Sequence, residues 1–295
     1  MIIETKAYAK INLYLDVLGK RADGYHNIRS VMQTVGLYDV VSVEFLPGDA
    51  REIAVVCDDA AVPCGEKNIA YKAAARYLDR VGIGGTVGIS ITKRIPMEAG
   101  LAGGSTDAAA VLRMLNKLCG DALTVGELCE VGASVGADVP FCIVGGTALT
   151  EGIGEVLRPV DPMPEAFIVI ARGGEGVSTP AAYRAIDEMY GDRLGEEHGD
   201  IGEVCDALRR SDLRELCTSM VNVFEGVVLP VHDVARRAKE TMLACGALGA
   251  MMSGSGPSVF GIFENKADAE NAADMLREFV ARVEVTVPVG VIEDA

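Results

Sequence analysis

The chain of 295 residues carries 43 acidic and 27 basic residues, which gives it a formal net charge of −16. This balance disfavours nucleic acid and anionic membranes as partners, because both repel a negative surface. It also disfavours a naked anionic substrate, so a nucleotide ligand would need lysine, arginine or bound Mg²⁺ beside it. A single hydrophobic core stops growing near this length, so we expect two subdomains.

The eight cysteines are scattered and form no C-x-x-C pair, which argues against a zinc ribbon or a redox dithiol. Several lie within apolar runs, as small buried hydrophobes do in a reducing compartment. The N-terminus lacks a basic region followed by an apolar one, and no apolar run reaches the length of a membrane span. We therefore expect a cytoplasmic protein that neither spans nor binds a membrane.

The first half of the chain predicts strands followed by helices. Apolar residues alternate over residues 9–17, with Lys10 and Asn12 on the opposite face, as in a half-buried strand of a mostly antiparallel sheet. Further strands are predicted at 28–36, 39–46, 52–57 and 86–94, helices at 68–81, 105–118 and 125–134, a break with a new helix start at 136–140, and two short strands within 145–157.

The second half mixes strands and helices without a regular βαβ period, so we predict an α+β protein. A buried strand is predicted at 167–171, helices at 180–190, 201–217, 231–245 and 267–281, and strands at 259–263 and 283–291. The domain boundary falls loosely between residues 145 and 165.

A glycine-rich run at residues 96–106 joins a predicted strand to a predicted helix. Such a turn directs several backbone N–H groups to one point, and the helix dipole adds partial positive charge there. This combination indicates an anion site, and phosphate is the most common biological anion. The local sequence leaves open a second interpretation, a tight turn with Ser105 as helix N-cap.

The glycine run differs from the two best-known phosphate-binding fingerprints. A P-loop needs a lysine before its Ser/Thr, whereas Gly104 precedes Ser105 here. The dinucleotide-binding pattern needs another glycine spacing and a first βαβ unit. We therefore expect a nucleotide-binding loop of a different kind.

Three blocks in this chain resemble those of the GHMP kinases, in the same order: Lys10 early on a strand, the glycine run, and a second glycine turn at 253–258 before a strand. Residues 10–13, 23–26 and 136–141 look like the branch of that family whose acceptor is a cytidine-diphosphate-linked methylerythritol. The resemblance spans almost the whole chain. It implies the two-domain GHMP kinase fold, with mixed, mostly antiparallel sheets and an active site in the interdomain cleft, which we divide at residues 1–155 and 156–295.

The resemblance implies transfer of the γ-phosphoryl group of ATP, with Mg²⁺, to the 2-hydroxyl of that acceptor, in the non-mevalonate route to isoprenoid precursors. The ATP-binding loop would comprise Pro96, Met97, Glu98, Ala99, Gly100, Leu101, Ala102, Gly103, Gly104, Ser105 and Thr106. We expect the hydroxyls of Ser105 and Thr106 to reach phosphate oxygens or Mg²⁺, and Ser105 is the candidate metal ligand. Asn68 and Lys93 would lie near adenine, although alone they look like a helix N-cap and an exposed strand residue.

The resemblance also assigns the catalytic pair. Asp138 precedes a predicted helix and is the expected base, and the alternative is an ordinary N-cap aspartate. Lys10 would lie beside it, where a cation lowers the carboxylate's pKa and attracts the developing alkoxide. Asn12 shares the face of Lys10 and would bind the acceptor or orient the pair. Asp107 either complements the helix dipole on the surface or acts at the metal or phosphates.

The acceptor's base would be bound by aromatic residues. By the resemblance, Tyr25 stacks on cytosine, His26 hydrogen-bonds it, and Tyr183 forms the second aromatic wall, whose alternative role is core packing. One departure from the family is Glu98, where a small residue is common, and we expect its carboxylate to point to solvent.

Other functions stay open at this point. They are another GHMP small-molecule kinase of homoserine or mevalonate type, a relative that phosphorylates on the way to decarboxylation, and a non-catalytic nucleotide-binding member. Tyr25, His26 and Asn12 argue against the first, and Lys10 with Asp138 argues against the last. The partners expected are small molecules, and the oligomeric state is left between monomer and homodimer.

Overall fold

The computed structural model describes residues 1–196 and 198–292. Its strands are β1 (Ile2–Lys20), β2 (His26–Pro47), β3 (Arg51–Cys57), β4 (Gly85–Thr92), β5 (Thr147–Glu151), β6 (Val156–Pro159), β7 (Phe167–Arg172), β8 (Val221–Asn222), β9 (Gly249–Met252), β10 (Ser258–Phe263) and β11 (Val283–Thr286). Its helices are α1 (Ile69–Val81), α2 (Gly103–Leu118), α3 (Val125–Ala133), α4 (Val139–Val144), α5 (Thr179–Tyr190), α6 (Ile201–Arg209), α7 (Leu213–Ser219), α8 (Glu225–Val228), α9 (Asp233–Ala244) and α10 (Lys266–Arg277).

The strands of the described residues form two sheets, of which the first is mixed and mostly antiparallel and the second is antiparallel throughout. The first has seven strands in the order β3-β4-β2-β1-β8, with β5 and β6 attached beside β2, and the second has the order β11-β7-β10-β9. Only β3 with β4 and β1 with β8 pair in parallel among these strands. This architecture confirms the predicted α+β class.

The long antiparallel pair of β1 and β2 carries the polar residues of interest. Its register shifts between Tyr8 and Lys10 and again between Asn12 and Tyr14. Such bulges bend a strand and re-aim its side chains, and they are common beside functional sites. Here they flank Lys10 and Asn12, so the irregular stretch of the pair is the one that carries the candidate catalytic residues.

Three clusters of buried apolar side chains hold the fold together. One lies between the first sheet and α1–α4, and another lies between the second sheet and α9 and α10. A third joins the two halves, because it contains Ile11 and Leu13 of β1, Leu101 of the glycine run, and Ile170 and Phe260 of the second sheet. The middle of β1 is therefore covered on both faces, and the prediction of a half-buried strand is wrong there.

Several predicted boundaries differ from the observed ones. The strands predicted at 28–36 and 39–46 are one continuous β2. The helix predicted at 201–217 is broken, because Ser211 has a left-handed φ of +53° and Asp212 caps the start of α7 through Arg214 N–H. The last strand ends at Thr286, and α10 ends at Arg277. The boundary at residue 155 stays a prediction; it falls within the β5–β6 hairpin of the first sheet.

None of the helices in the described ranges combines the length and apolar character needed to cross a bilayer.

Candidate functional site

A cleft of about 990 Å³ lies between the two halves of the chain. The first half contributes the glycine run, Lys10, Asn12 and Asp138, and the second contributes Tyr183 and the turn at 254–256. Every residue that the sequence singled out lines this cleft except Leu101 and Thr106. The predicted residues, which are far apart in the chain, are thus brought together in one cavity.

The glycine run leaves β4 and reaches α2 through a strained backbone. Glu98, Gly100 and Ala102 all have left-handed φ values, of +50°, +74° and +58°. Alternating handedness of this kind turns successive N–H groups toward one point and forms an anion-binding concavity. Left-handed backbone at non-glycine residues costs free energy and concentrates at functional sites, so Glu98 and Ala102 support a binding role for the loop.

The helix after this loop begins earlier than predicted. Gly103 is the first residue of α2 and Ala102 is its N-cap, so Ser105 is not the cap and its side chain lines the cleft. The Thr106 hydroxyl is buried and donates to Tyr8 O at 2.5 Å, which corrects the expectation that it faces the phosphates. Leu101 is buried in the core, and its carbonyl accepts from Lys10 N–H at 3.2 Å. Glu98 is exposed at the rim of the cleft.

The second glycine turn braces the first loop. Ser253 Oγ donates to Gly100 O at 2.9 Å, and a Cβ at Gly100 would approach Ser253 O to 2.0 Å. The turn is fixed in its place by Asn222, whose Nδ2 donates to the carbonyls of Met252 and Gly254. The atoms that this Cβ would meet belong to the backbones of Ser253 and Gly256, so the two glycine segments pack too closely for a side chain at Gly100.

Lys10 and Asp138 form an ion pair at the centre of the cleft, with Nζ and Oδ2 3.7 Å apart. Lys10 is only 4% exposed and also donates to Asn12 Oδ1 at 2.7 Å. Asn12 donates in turn to Ser30 Oγ at 2.8 Å, and its Oδ1 accepts from Gly254 N–H at 3.0 Å. Asp138 is the N-cap residue of α4, yet its side chain makes no capping hydrogen bond within the described residues. Its carboxylate is therefore available to the cleft.

Lys93 does not lie on the surface, as its strand position alone suggested. Its side chain is 4% exposed, and its ammonium pairs with both Asp39 and Asp107, 2.8 Å from the latter. Asp107 is buried as well, so the interpretation of it as a surface carboxylate is wrong. Burial and the charge of Asp39 raise the pKa of Asp107 to about 7, although Lys93 opposes the rise. Asp39 also accepts from the N–H groups of Arg94 and Ile95, at the entrance to the glycine run.

Asn68 is committed to the helix that it begins. Its Oδ1 accepts from Ala70 N–H at 2.8 Å and its Nδ2 donates to Pro63 O at 2.7 Å. It lines the cleft, but both polar groups of its side chain are engaged. The adenine contacts of Asn68 and Lys93 stay predictions.

One wall of the cleft is aromatic. Tyr25 is 61% exposed on the turn between β1 and β2, whereas the next residue, His26, is buried. The ring of His26 stacks on Tyr183 with centroids 4.7 Å apart, and Tyr183 packs edge-on against Phe224. Burial, reinforced by the charge of Asp138, raises the pKa of Tyr183, so its phenol stays protonated.

Asp187 is a site residue that the sequence interpretation missed. Its carboxylate lies 2.6 Å from His26 Nε2 and 2.5 Å from Lys20 Nζ. Burial alone would raise the pKa of Asp187, but the hydrogen bonds from Lys20 and His26 outweigh it and lower the pKa. Asp187 follows Tyr183 by four residues on α5, so the two share one helix face. That spacing was the available indication in the sequence.

The cleft offers few protein ligands for a metal ion. No group of three histidine, cysteine or acidic side chains within the described residues could hold one. Ser105 Oγ and the carboxylate of Asp107 do line the cleft, and Asp107 Oδ1 is buried without a hydrogen-bond partner in the described part of the chain. Mg²⁺ typically takes one or two protein oxygens and completes its shell with phosphates and water. The residues present fit that mode.

Comparisons with known proteins agree with this geometry. Residues 68–146 match the N-terminal domain of GHMP kinases, and residues 200–282 match the C-terminal domain. The chain is 48% identical over 281 residues to the 4-diphosphocytidyl-2-C-methyl-D-erythritol kinase of Caldicellulosiruptor saccharolyticus, covering 95% of each. It is 44% identical to the enzyme of that name in Clostridium perfringens SM101, covering 93% of each. A crystal structure of 4-(cytidine 5'-diphospho)-2C-methyl-D-erythritol kinase superposes with a TM-score of 0.81 at 33% identity, over 98% of this chain and 100% of that one.

Proposed function

We propose that this chain, which belongs to the 4-diphosphocytidyl-2-C-methyl-D-erythritol kinase family of GHMP kinases, transfers the γ-phosphoryl group of ATP to the 2-hydroxyl of 4-(cytidine 5'-diphospho)-2-C-methyl-D-erythritol. The products are ADP and the 2-phosphate, at a step of the non-mevalonate route to isoprenoid precursors. The observation that carries the proposal is the Lys10–Asp138 pair, 3.7 Å apart, in the same cleft as the strained glycine run.

The glycine run binds the triphosphate. Phosphoryl transfer needs little covalent work from a protein, so positioning and charge stabilisation dominate the catalysis. Backbone N–H groups between Ala99 and Ser105, with the positive end of the α2 dipole, would donate hydrogen bonds to the phosphate oxygens. Because the net charge is −16, these local dipoles and Lys10 must offset the field of the whole protein.

Asp138 accepts the proton of the 2-hydroxyl as that oxygen attacks the γ-phosphorus, and the bond to the β-phosphate oxygen breaks to release ADP. A positioned base of this kind contributes ~10²–10⁴-fold. Lys10 stabilises the negative charge that develops on the attacking hydroxyl oxygen. Asn12 positions Lys10, because its Oδ1 accepts from the ammonium at 2.7 Å. Asn12 is itself held in place, because its Nδ2 donates to Ser30 Oγ at 2.8 Å.

ATP is the co-substrate that a kinase family implies, and we assign Mg²⁺ to Ser105 and Asp107. When bound, the metal would neutralise charge on the β- and γ-phosphates. Lys93 holds the Asp107 carboxylate in place by pairing with its Oδ2 at 2.8 Å, which leaves Oδ1 for the metal.

Cytosine is bound at the aromatic wall. Tyr25 supplies an exposed ring for stacking, and the His26–Tyr183 stack supplies a second surface. A carboxylate only accepts hydrogen bonds, so Asp187 favours the tautomer of His26 that carries its proton on Nε2, and in that tautomer Nδ1 is an acceptor. That acceptor suits the amino group of cytosine and would oppose the carbonyl of uracil.

A cytoplasmic location and small-molecule partners accord with this function. All eight cysteines lie within the described residues and none is in a disulfide, as is usual in a reducing compartment.

The function is tested by measuring ADP release with four acceptors: the cytidine-diphosphate-linked methylerythritol, homoserine, mevalonate and galactose. We expect turnover with the first and background rates with the others, because those three lack a base for the aromatic wall. Strong turnover with any of the three would refute the assignment.

Replacing Tyr25 by alanine should raise KM for the acceptor by ~5–100-fold, since stacking of a base on an aromatic ring is worth ~1–3 kcal/mol. KM for ATP should change little, because Tyr25 lies on the turn between β1 and β2 and is not part of the glycine run that binds the triphosphate. Steady-state kinetics with each substrate varied in turn measures both constants. Equal rises in the two would contradict a role confined to the acceptor.

Replacing Asp187 by alanine should raise KM for the acceptor by ~10-fold and reduce the preference for cytidine over uridine in the acceptor, because His26 then loses its fixed tautomer. Asp187→Asn should restore part of the preference, since its amide oxygen still accepts from Nε2–H. Glu188→Ala, an exposed neighbour on α5, is the matched control. An unchanged cytidine preference in Asp187→Ala would argue for a purely structural ion pair.

A further inference from the structure

A second groove, of about 430 Å³, lies behind the entrance to the glycine run. Lys93 and Pro96 line both the cleft and this groove, so the segment between β4 and the loop separates the two. Four arginines line the groove, which is unexpected in a chain with a net charge of −16. They are Arg94, Arg172, Arg277 and Arg282.

The fold brings three residues that line this groove next to one another at one end of the second sheet: Ser258, Arg172 and Arg282. Arg172 is the last residue of β7 and pairs across the sheet with Ser258, the first residue of β10. Arg172 N–H also donates to Arg282 O at 3.1 Å, just before β11. Arg94 approaches the same end of the second sheet from the first half of the chain. We refer to Arg94, Arg172, Arg282 and Ser258 together as the arginine groove.

Two buried polar atoms of the arginine groove lack partners. Arg172 Nε and Ser258 Oγ are shielded from solvent, and neither has a hydrogen-bond partner in residues 1–196 and 198–292. Ser258 is 0% exposed. Buried polar groups are nearly always satisfied in native proteins, so two unsatisfied groups that line one groove point to a ligand that completes them.

The three arginines of the arginine groove are not paired with carboxylates of the described residues, in contrast to the two other basic residues that line it. Arg277 is paired with Asp274 at 2.7 Å, and Lys93 is paired with Asp39 and Asp107. Arg94, Arg172 and Arg282 have no carboxylate at ion-pair distance among the described residues. Glu284 is the acidic side chain that lines the groove, so an excess of positive charge is left there.

We propose that the arginine groove binds a small phosphate ester, at a site separate from the ATP cleft. Guanidinium groups present planar, charged N–H forks that match the oxygens of phosphate, and the Ser258 hydroxyl adds a further donor. Three guanidinium groups opposed by one carboxylate match a dianion. The volume lies within the range of small-ligand sites.

The test uses the full-length protein with the cleft saturated by a non-hydrolysable ATP analogue and Mg²⁺. Inorganic phosphate is then titrated in by isothermal calorimetry. We expect one saturable site in the wild type, weakened by at least ~10-fold in Arg172→Gln and in Arg282→Gln, because each removes a charge-assisted hydrogen bond. Arg209→Gln, at an exposed arginine paired with Asp206 on α6, is the matched control and should bind phosphate as the wild type does.

A third variant separates ligand binding from folding. Ser258→Ala removes a hydroxyl that is unsatisfied without ligand, so it should leave the phosphate-free protein at least as stable while weakening phosphate binding. Succinate, a dianion without phosphorus, should compete only weakly. The proposal is overturned by the absence of a saturable site, by equal affinity in Arg172→Gln and Arg209→Gln, or by equal competition from succinate. Because the readout is binding, it does not depend on which acceptor the enzyme phosphorylates.

Discussion

Replacing Asp138 by alanine is expected to lower kcat by at least ~10²-fold, because the acceptor hydroxyl then loses its base. The carboxylate makes no capping hydrogen bond with the described residues, so its removal should not destabilise α4. Lys10→Ala should lower kcat by at least ~10²-fold as well, since the ammonium stabilises the developing alkoxide. KM for ATP should change much less in Asp138→Ala, because the glycine run rather than Asp138 binds the triphosphate. Steady-state assays of ADP release, with the fold of each variant checked by circular dichroism, measure kcat and KM for ATP.

The double variant tells whether the two residues act as a unit. The ammonium and the carboxylate lie 3.7 Å apart and serve the same proton transfer. The fall in kcat in the double variant should therefore be much smaller than the product of the falls in the two single variants. Asp79→Ala, at an exposed aspartate paired with Arg51, is the matched control and should keep wild-type turnover. A loss below ~10-fold in either single variant, with circular dichroism unchanged, would remove that residue from the reaction.

The elements of the fold follow from local patterns more closely than the contacts of the site do. Alternation over residues 9–17 predicted a strand, and the apolar stripes predicted α1 and α2, because period and propensity are local properties. The same alternation suggested that Lys10 faces water. In the fold Lys10 is only 4% exposed and is paired with Asp138, and only the resemblance to GHMP kinases placed the two residues side by side in a cleft.

The backbone of the glycine run could not be predicted from its glycines. Three of its residues are left-handed, and two of these are Glu98 and Ala102, which local propensity disfavours in that conformation. Their strain is sustained by tertiary contacts, such as the bond from Lys10 N–H to Leu101 O. Local propensity indicates only which residues adopt a left-handed backbone without strain. It cannot show where tertiary contacts force a non-glycine residue into that conformation.

The supporting carboxylates were missed for a related reason. Asp39 is on β2 and Asp187 is on α5, and each is distant in sequence from the residue that it orients, Lys93 or His26. Single aspartates of this kind have no distinctive spacing to the group that they hold. Only the approach of the elements in space shows that each aspartate hydrogen-bonds and orients a side chain at the wall of the cleft.

Replacing Gly100 by alanine should raise KM for ATP by at least ~10-fold, with the fold retained. A Cβ there would lie 2.0 Å from Ser253 O, so the loop and the second glycine turn must separate, and the hydrogen bond from Ser253 Oγ to Gly100 O is lost. The N–H groups that face the triphosphate would then shift, and displacements of ~1 Å in a catalytic site cost ~10²-fold.

Gly82 provides the matched control for this change, because its φ is also +74° but no atom of residues 1–196 and 198–292 lies within 4 Å of its added Cβ. Gly82→Ala therefore carries the left-handed strain of ~1–2 kcal/mol without the collision. Strain alone should lower the melting temperature of both variants, whereas only Gly100→Ala should weaken ATP binding. If the two variants had the same KM for ATP, the contact between the glycine segments would not set the geometry of the phosphate loop. A specific defect in Gly100→Ala would instead mean that the second half of the chain, through Ser253, holds the first half's anion site in its binding conformation.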